Sequence, residues 1–193
     1  MLIAVDIDNC LNNLCEAVLE VYNTDSGDNL ILSDITAYHI ESFVKPAYKD
    51  NFFHYFLDRE VWKKIKVKPQ CREVLAKLYN EGHQIIFVTT TEPENLPKKR
   101  NWLMRNFPFL DIRKSLFCCP VKQLIKCDIL IDDYLENLTG DRSYTSICFD
   151  MPYNQTDDWL IPDFYRAYNW QDVYKIITEL SFSELRLGKE KLT

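Results

Sequence analysis

The feature that most narrows what this 193-residue chain can fold into is a set of short apolar runs, at residues 2–7, 84–89, 128–131 and 145–149. Each is dense in Ile, Val, Leu or Phe and is bounded by polar residues, the pattern of parallel strands covered on both faces. A weaker run lies at 115–118. Helical patterns alternate with them. Val74, Leu75 and Leu78 make one stripe over 71–79, with Gly82 just beyond as a stop signal. Further helices are expected over 101–107, where Trp102 and Leu103 face inward, and over 173–180. Strands that alternate with helices predict an α/β fold with a doubly wound parallel sheet and right-handed crossovers.

One stretch breaks this rhythm. Between the first strand and the helix at Cys71 no buried strand is visible, but helical pattern shows at 11–22 and again near 47–57. The second piece is rich in rings: Tyr48, Phe52, Phe53, Tyr55, Phe56 and then Trp62. It reads either as a satellite helical core or as a cap standing over the carboxyl edge of the sheet, where ligands bind in open α/β folds. The expected organisation is a core of residues 1–12 and 69–181, a helical cap of 13–68, and a charged C-terminal tail of 182–193 that frays.

Composition sets the class. Hydrophobic residues are 47% and charged residues 27%, the balance of a globular chain. A net charge of −6 speaks against duplex nucleic acid as a partner and leaves room for a small anion that a local cation would neutralise. The seven cysteines contain no C-x-x-C pair and do not cluster with the three histidines, so buried thiols in a reducing cytoplasm are expected, not a zinc site. The opening residues MLIAVDID lack the basic start of a signal peptide, and no window is apolar enough to span a membrane. A homodimer is one allowed assembly.

The strand ends carry the chemistry. Asp6 and Asp8 lie two apart, so both carboxylates emerge on one side where the first strand ends. Adjacent carboxylates repel, and a divalent cation removes the repulsion; their oxygens suit Mg²⁺. Asp132 and Asp133 repeat the arrangement at the end of the run at 128–131, although an acid pair there could also cap the next turn of helix. Thr89, Thr90 and Thr91 close the run at 84–89, where hydroxyls and N–H groups can receive phosphate oxygens. The following helix is expected to start near Asn95, because Pro97 cannot sit in a helix interior. Lys122, ten residues before Asp132, would act as a point charge on phosphate.

In this order the parts resemble the four motifs of the haloacid-dehalogenase superfamily, with Asp6 and Asp8 in the first, Thr89 in the second, Lys122 in the third and Asp133 beside Asp132 in the fourth. Within it the chain is similar to the 5′(3′)-deoxyribonucleotidases and their bacterial or phage relatives. The similarity rests on Thr89-Thr90, on the spacing from Lys122 to Asp-Ile-Leu-Ile-Asp-Asp, on the inserted segment, on residues 149–154 and on Asn169-Trp170. Two positions depart from the pattern. Asn9 and Cys10 replace the more usual glycine and threonine or valine, and Leu14 stands where characterised members carry an aromatic near the base.

The resemblance implies a Mg²⁺-dependent phosphomonoesterase acting on nucleoside monophosphates. Asp6 would be the nucleophile and Asp8 the general acid and base. Mg²⁺ would rest on Asp6, the Asp8 carbonyl and Asp133. Asp132 would orient the outer shell, and Lys122, Thr89 and Thr90 would hold the phosphoryl oxygens. Leu14, Tyr38, His39 and Trp62 are the candidates for substrate selection, although Tyr38 and Trp62 could equally belong to the cap's own core. The competing readings are a phosphatase for another small phosphomonoester, a catalytically silent nucleotide-binding member, and a phosphorylation-receiver module.

Overall fold

The computed structural model describes residues 1–190. Its strands are β1 (Leu2–Val5), β2 (Gln84–Thr89), β3 (Leu116–Cys118), β4 (Ile129–Asp132), β5 (Thr145–Phe149) and β6 (Phe164–Ala167). They form one parallel sheet in the order β3-β2-β1-β4-β5-β6. The helices are α1 (Leu14–Ser26), α2 (Pro46–Lys49), α3 (Arg59–Lys64), α4 (Cys71–Asn80), α5 (Leu96–Asn106), α6 (Ile112–Ser115), α7 (Leu135–Leu138) and α8 (Trp170–Glu190). The chain moves outward from β1 through β2 to β3, then crosses back to β4 on the other side of β1. The order therefore reverses between β1 and β4, and the crevice outside their carboxyl ends is the ligand position of open α/β sheets. Val5 sits beside both Phe87 and Ile131, so the strands that end in Asp6, Thr89 and Asp132 finish level with one another.

The expected doubly wound sheet is present, and the differences from the sequence reading lie at its margins. β1 is shorter than residues 2–7 because the chain leaves the ladder after the Asp6 N–H reaches the Ile131 carbonyl (2.8 Å) and turns, with Asn9 at φ 57°. β6 was not anticipated. It is a four-residue edge strand, Phe-Tyr-Arg-Ala, without an apolar run. α5 is capped at Asn95 with Pro97 in its first turn, as the proline requires. The single helix expected near 47–57 is instead α2 followed by a 3₁₀ turn at Phe52–Leu57. α1 begins and ends later than 11–22 and stops at Gly27, whose φ of 63° and N–H bond to Asn23 end the helix in the left-handed manner. α8 extends beyond 173–180 through the expected tail as far as Glu190; residues 191–193 of that tail lie outside the described residues.

Helices α1 to α3, between β1 and α4, form a cap, and it is not a separate core. Tyr22, Phe52 and Val61 belong to one cluster with Ile3, Val5, Phe87 and Trp170, all of them buried. Rings dominate the cap: Tyr22 meets Tyr48, Phe52 and Tyr55 edge-on at 5.5–6.1 Å. A smaller cluster on the other face of the sheet gathers Ala4, Val88, Leu130, Leu138 and Tyr144. Among the described residues no helix is long and apolar enough to cross a membrane.

Candidate active site

Asp6 leaves the end of β1 and Asp133 follows β4, and the two carboxylates meet although the residues are far apart in sequence. Ligand atoms of Asp6, Cys10 and Asp133 all lie within 4.8 Å of one another, and all three residues are buried. Lys122, on a 3₁₀ turn after β3, reaches the same place. It is 2% exposed, and its ammonium donates to Asp6 Oδ1 and to Asp132 Oδ2, the latter at 2.6 Å. The Asp132 carboxylate also accepts from the Tyr134 N–H (2.9 Å) and Asn137 Nδ2 (3.0 Å), so it both ties the turn before α7 and holds the lysine.

Burial of like charges shows in the protonation equilibria. Burial, with Asp132 and Asp8 adding to it, pushes the Asp6 carboxyl up to about 7 against the pull of Lys122. Burial, with Asp6 and Asp132 beside it, pushes Asp133 up to about 8. Burial draws the Lys122 ammonium down, but the carboxylates of Asp132 and Asp6 outweigh it and raise it overall. One lysine cannot neutralise two such acids. Buried hard oxygens with charge to spare are what a divalent cation needs, so the donor set fits Mg²⁺. The neighbouring Cys10 thiol is raised well above its usual value by burial and by Asp133, and its sulfur lies 4.0 Å from Asp133 Oδ1.

Asp8 turns the other way. Its Oδ2 accepts from Lys99 Nζ at 2.5 Å, and the same ammonium donates to Thr89 Oγ1 at 2.7 Å. Thr89 is buried at the end of β2, whereas Thr90 is exposed and donates to the Cys119 carbonyl (3.3 Å). The structure thus brings Asp6, Asp132, Asp133 and Lys122 into one cluster and places Asp8 and Thr89 together beside it. Both groups open on a cavity of about 260 Å³ whose lining includes Asp6, Asp8, Thr90, Lys122 and Asp133. A wider surface hollow of about 430 Å³, lined by Arg142 and Leu160, lies away from this constellation.

The residues proposed for substrate selection separate. Tyr38 lines the cavity. Leu14 is buried at the start of α1. Trp62 packs within the cap and donates its indole N–H to the Phe56 carbonyl at 2.9 Å, so it belongs to the cap's interior. The His39 side chain is 73% exposed and pairs with Glu41.

Several residues of the site were not legible beforehand. Lys99 is one of three consecutive cations on α5, and only the fold shows that it points inward. Asn9 spans the turn: its amide donates to Asp133 Oδ2 (3.3 Å) and Tyr153 Oη (2.9 Å), while its oxygen accepts from the Cys15 N–H (2.8 Å). Tyr153 donates to Asp133 Oδ2, and Asn154 Nδ2 donates to the Asp133 carbonyl at 2.8 Å. The only advance signal for this pair was the run at 149–154.

Comparison with known proteins gives the family and the fold. A family model described as 5′ nucleotidase, deoxy (pyrimidine), cytosolic type C protein matches residues 1–182. A 5′(3′)-deoxyribonucleotidase of Clostridium acetobutylicum is 29% identical over 181 residues, covering 92% of this chain and 95% of the relative. One of Bacillus subtilis is 28% identical over 172 residues, covering 89% and 95%. Among solved structures, a haloacid-dehalogenase-family hydrolase from Deinococcus radiodurans with bound phosphate and sodium superposes with a TM-score of 0.58 at 12% identity, covering 92% of this chain and 95% of that one. A conserved haloacid dehalogenase-like protein of unknown function from Agrobacterium tumefaciens gives 0.63 at 13%, covering 93% and 98%. At those identities the likeness establishes the fold, which is haloacid-dehalogenase-like.

Proposed function

Because the chain belongs to the 5′ nucleotidase, deoxy (pyrimidine), cytosolic type C family, we propose that it is a Mg²⁺-dependent phosphomonoesterase of deoxynucleoside monophosphates that works through a phosphoryl group carried on Asp6. The observation that carries the reading is the meeting of Asp6 and Asp133, with Lys122 bonded to Asp6 and Asp132, at the wall of one cavity.

Asp6 is the nucleophile. Its oxygen bonds to phosphorus as the bond from phosphorus to the ester oxygen breaks, leaving an aspartyl-phosphate. Asp8 gives its proton to the departing oxygen, then takes one from the water that attacks the aspartyl-phosphate. The products are the deoxynucleoside and inorganic phosphate, and both acids return to their starting state. Lys122 holds Asp6 in position and supplies positive charge beside the phosphoryl group. Asp132 fixes Lys122, and Tyr153 with Asn9 fixes Asp133. Lys99 sets the orientation of Asp8 and Thr89 before the substrate arrives. Asp6, Asp133 and the main-chain carbonyl of Asp8 would hold the cation, which supplies charge against the phosphoryl oxygens.

All of these residues come from one chain, so the reading needs no second copy. The seven free cysteines, five of them buried, suit a reducing cytoplasm. A phosphorylation-receiver module is disfavoured, since the acid in question follows the first strand, and β2, its neighbour in the sheet, ends in Thr89 instead.

The test is turnover of p-nitrophenyl phosphate and of a panel of nucleoside monophosphates against sugar phosphates, with Mg²⁺ and with chelator. Mg²⁺-dependent release of phosphate, strongest from a deoxynucleoside monophosphate, supports the proposal. Turnover that a chelator leaves untouched would remove it.

A further inference from the structure

The rings of the cap's interior do not line the cavity that the carboxylates share. Trp62 is turned into the cap, and Leu14 offers no ring. The cap ring that does reach the cavity is Tyr38, carried on the segment between the 3₁₀ turns Leu32–Asp34 and Ile40–Ser42. It stacks face to face on Tyr134 of the core, with centroids 3.9 Å apart and planes inclined by 28°. Tyr134 lines the same cavity. It follows Asp133 directly in the chain, and its N–H is held by Asp132 Oδ1 at 2.9 Å. Tyr153, whose phenol donates to Asp133, stands edge-on to Tyr38 at 5.8 Å.

The two stacked rings differ in how firmly they are held. Tyr134 is tied to the acid-bearing turn. Tyr38 is 47% exposed and rests on Tyr134 by ring contact, not in the packed interior of the cap. Its face-on contact is therefore one that another planar ring can replace, because stacking energy between flat π systems depends little on which ring supplies it. The stack bridges cap and core at the wall of the same cavity that Asp6 and Asp8 line, so it borders the space open to a leaving group joined to phosphorus there.

We infer that Tyr134 is the platform for the planar heteroaromatic base of the leaving group: the base stacks on the face of Tyr134 that Tyr38 covers, and Tyr38 is a displaceable cover that the base must move. The inference deepens the phosphomonoesterase reading and rests on it. It assigns base recognition to the residue next to Asp133 in the core, a position that Leu14, His39 and Trp62 do not occupy.

The experiment compares a deoxynucleoside 5′-monophosphate with 2-deoxyribose 5-phosphate, which has the same sugar and phosphate but no base. The quantity read is the ratio of kcat/KM for the two esters. In Tyr134→Ala this ratio falls about tenfold, while Tyr134→Phe keeps it within about twofold. In Tyr38→Ala the ratio rises or holds, because the cover no longer competes. An unchanged ratio in Tyr134→Ala overturns the inference, and so does an equal fall in Tyr38→Ala. Calorimetric titration of the nucleotide into Asp6→Asn protein, with and without Tyr134→Ala, reads the same platform without turnover. About tenfold weaker binding of the nucleotide, with the base-free ester unaffected, supports the platform even where the catalytic reading fails; equal weakening of both ligands overturns it. If Tyr134→Ala does not fold, Tyr134→Leu takes its place under the same criteria.

Discussion

At the carboxyl edge of the sheet the side chains are tied by charge: Lys122 to Asp6 and Asp132, Lys99 to Asp8 and Thr89, Tyr153 and Asn9 to Asp133. In the cap that follows β1 they are tied by rings: Tyr22 against Tyr48, Phe52 and Tyr55, and Phe52 against Phe56. The difference is one of tolerance. A buried charge that loses its partner leaves an uncompensated ion, whereas a ring that loses a neighbour leaves a gap that others partly fill. The edge is suited to fixed chemistry and the cap to an adjustable fit. Substitutions at the edge should therefore cost rate, and stability too where they strand a buried charge, whereas substitutions in the cap should cost little of either.

The largest effect is expected from Asp6→Asn. Loss of the nucleophile lowers kcat on p-nitrophenyl phosphate by on the order of 10⁴-fold or more, while the thermal midpoint of the metal-free protein holds or rises, because Lys122 keeps Asp132 and one crowded acid is gone. Near-normal turnover in this variant would remove Asp6 from its role. Lys122→Met strands two buried carboxylates. A cost of roughly 3–5 kcal/mol should lower the thermal midpoint by about 10 °C and abolish measurable turnover. A midpoint within about 2 °C of the parent would show that the edge is not tied by charge. Lys99→Met should reduce kcat by roughly 10–100-fold with little change in fold, since it removes the group that orients Asp8 and Thr89.

The acids also predict a pH dependence of the metal-free protein. Burial pushes Asp6 up to about 7 and Asp133 up to about 8, so the folded chain keeps protons that the unfolded chain has already released. Their contribution to stability is complete below the ordinary carboxylate range of about 4 and is lost as pH rises through those two values. In chelator, the melting midpoint should fall by roughly 5 °C between pH 5 and pH 8.5, and Mg²⁺ should restore more of it at the higher pH, where the carboxylates are free to take the ion. A midpoint that rises over this interval in chelator contradicts the burial argument. The smallest effect is expected in the cap: Phe52→Leu costs about 1 kcal/mol and a few degrees, with kcat on p-nitrophenyl phosphate within about twofold of the parent. A large loss of rate there would erase the contrast between the two regions.

Much of this arrangement could be read before any coordinates. Five of the six strands carry apolar runs, and the acids and hydroxyls at their ends stand out because polar groups seldom interrupt such runs without a use. β6 escaped because an edge strand of four residues, half exposed, has no run to notice. The stretch at 47–57 read as one helix because its rings recur at helical spacing, but Asp50 and Asn51 divide it into α2 and a 3₁₀ turn. Lys99 was hidden among Lys98 and Arg100, as composition cannot say which of three cations faces inward. Tyr38 and Trp62 look alike as aromatic candidates, and their fates differ: one reaches the cavity and the other turns its indole N–H to the Phe56 carbonyl within the cap.

Local order alone determined the alternation of strand and helix, the residues that stand where strands end, and the insertion after the first strand, because periodicity and strand-end chemistry depend on near neighbours. Only the tertiary structure decided that β4 lies beside β1, that Lys122 and Lys99 divide the acids between them, and that Tyr38 stacks on Tyr134. Those contacts join residues far apart in the chain, and which of them form depends on how the whole sheet and its cap pack.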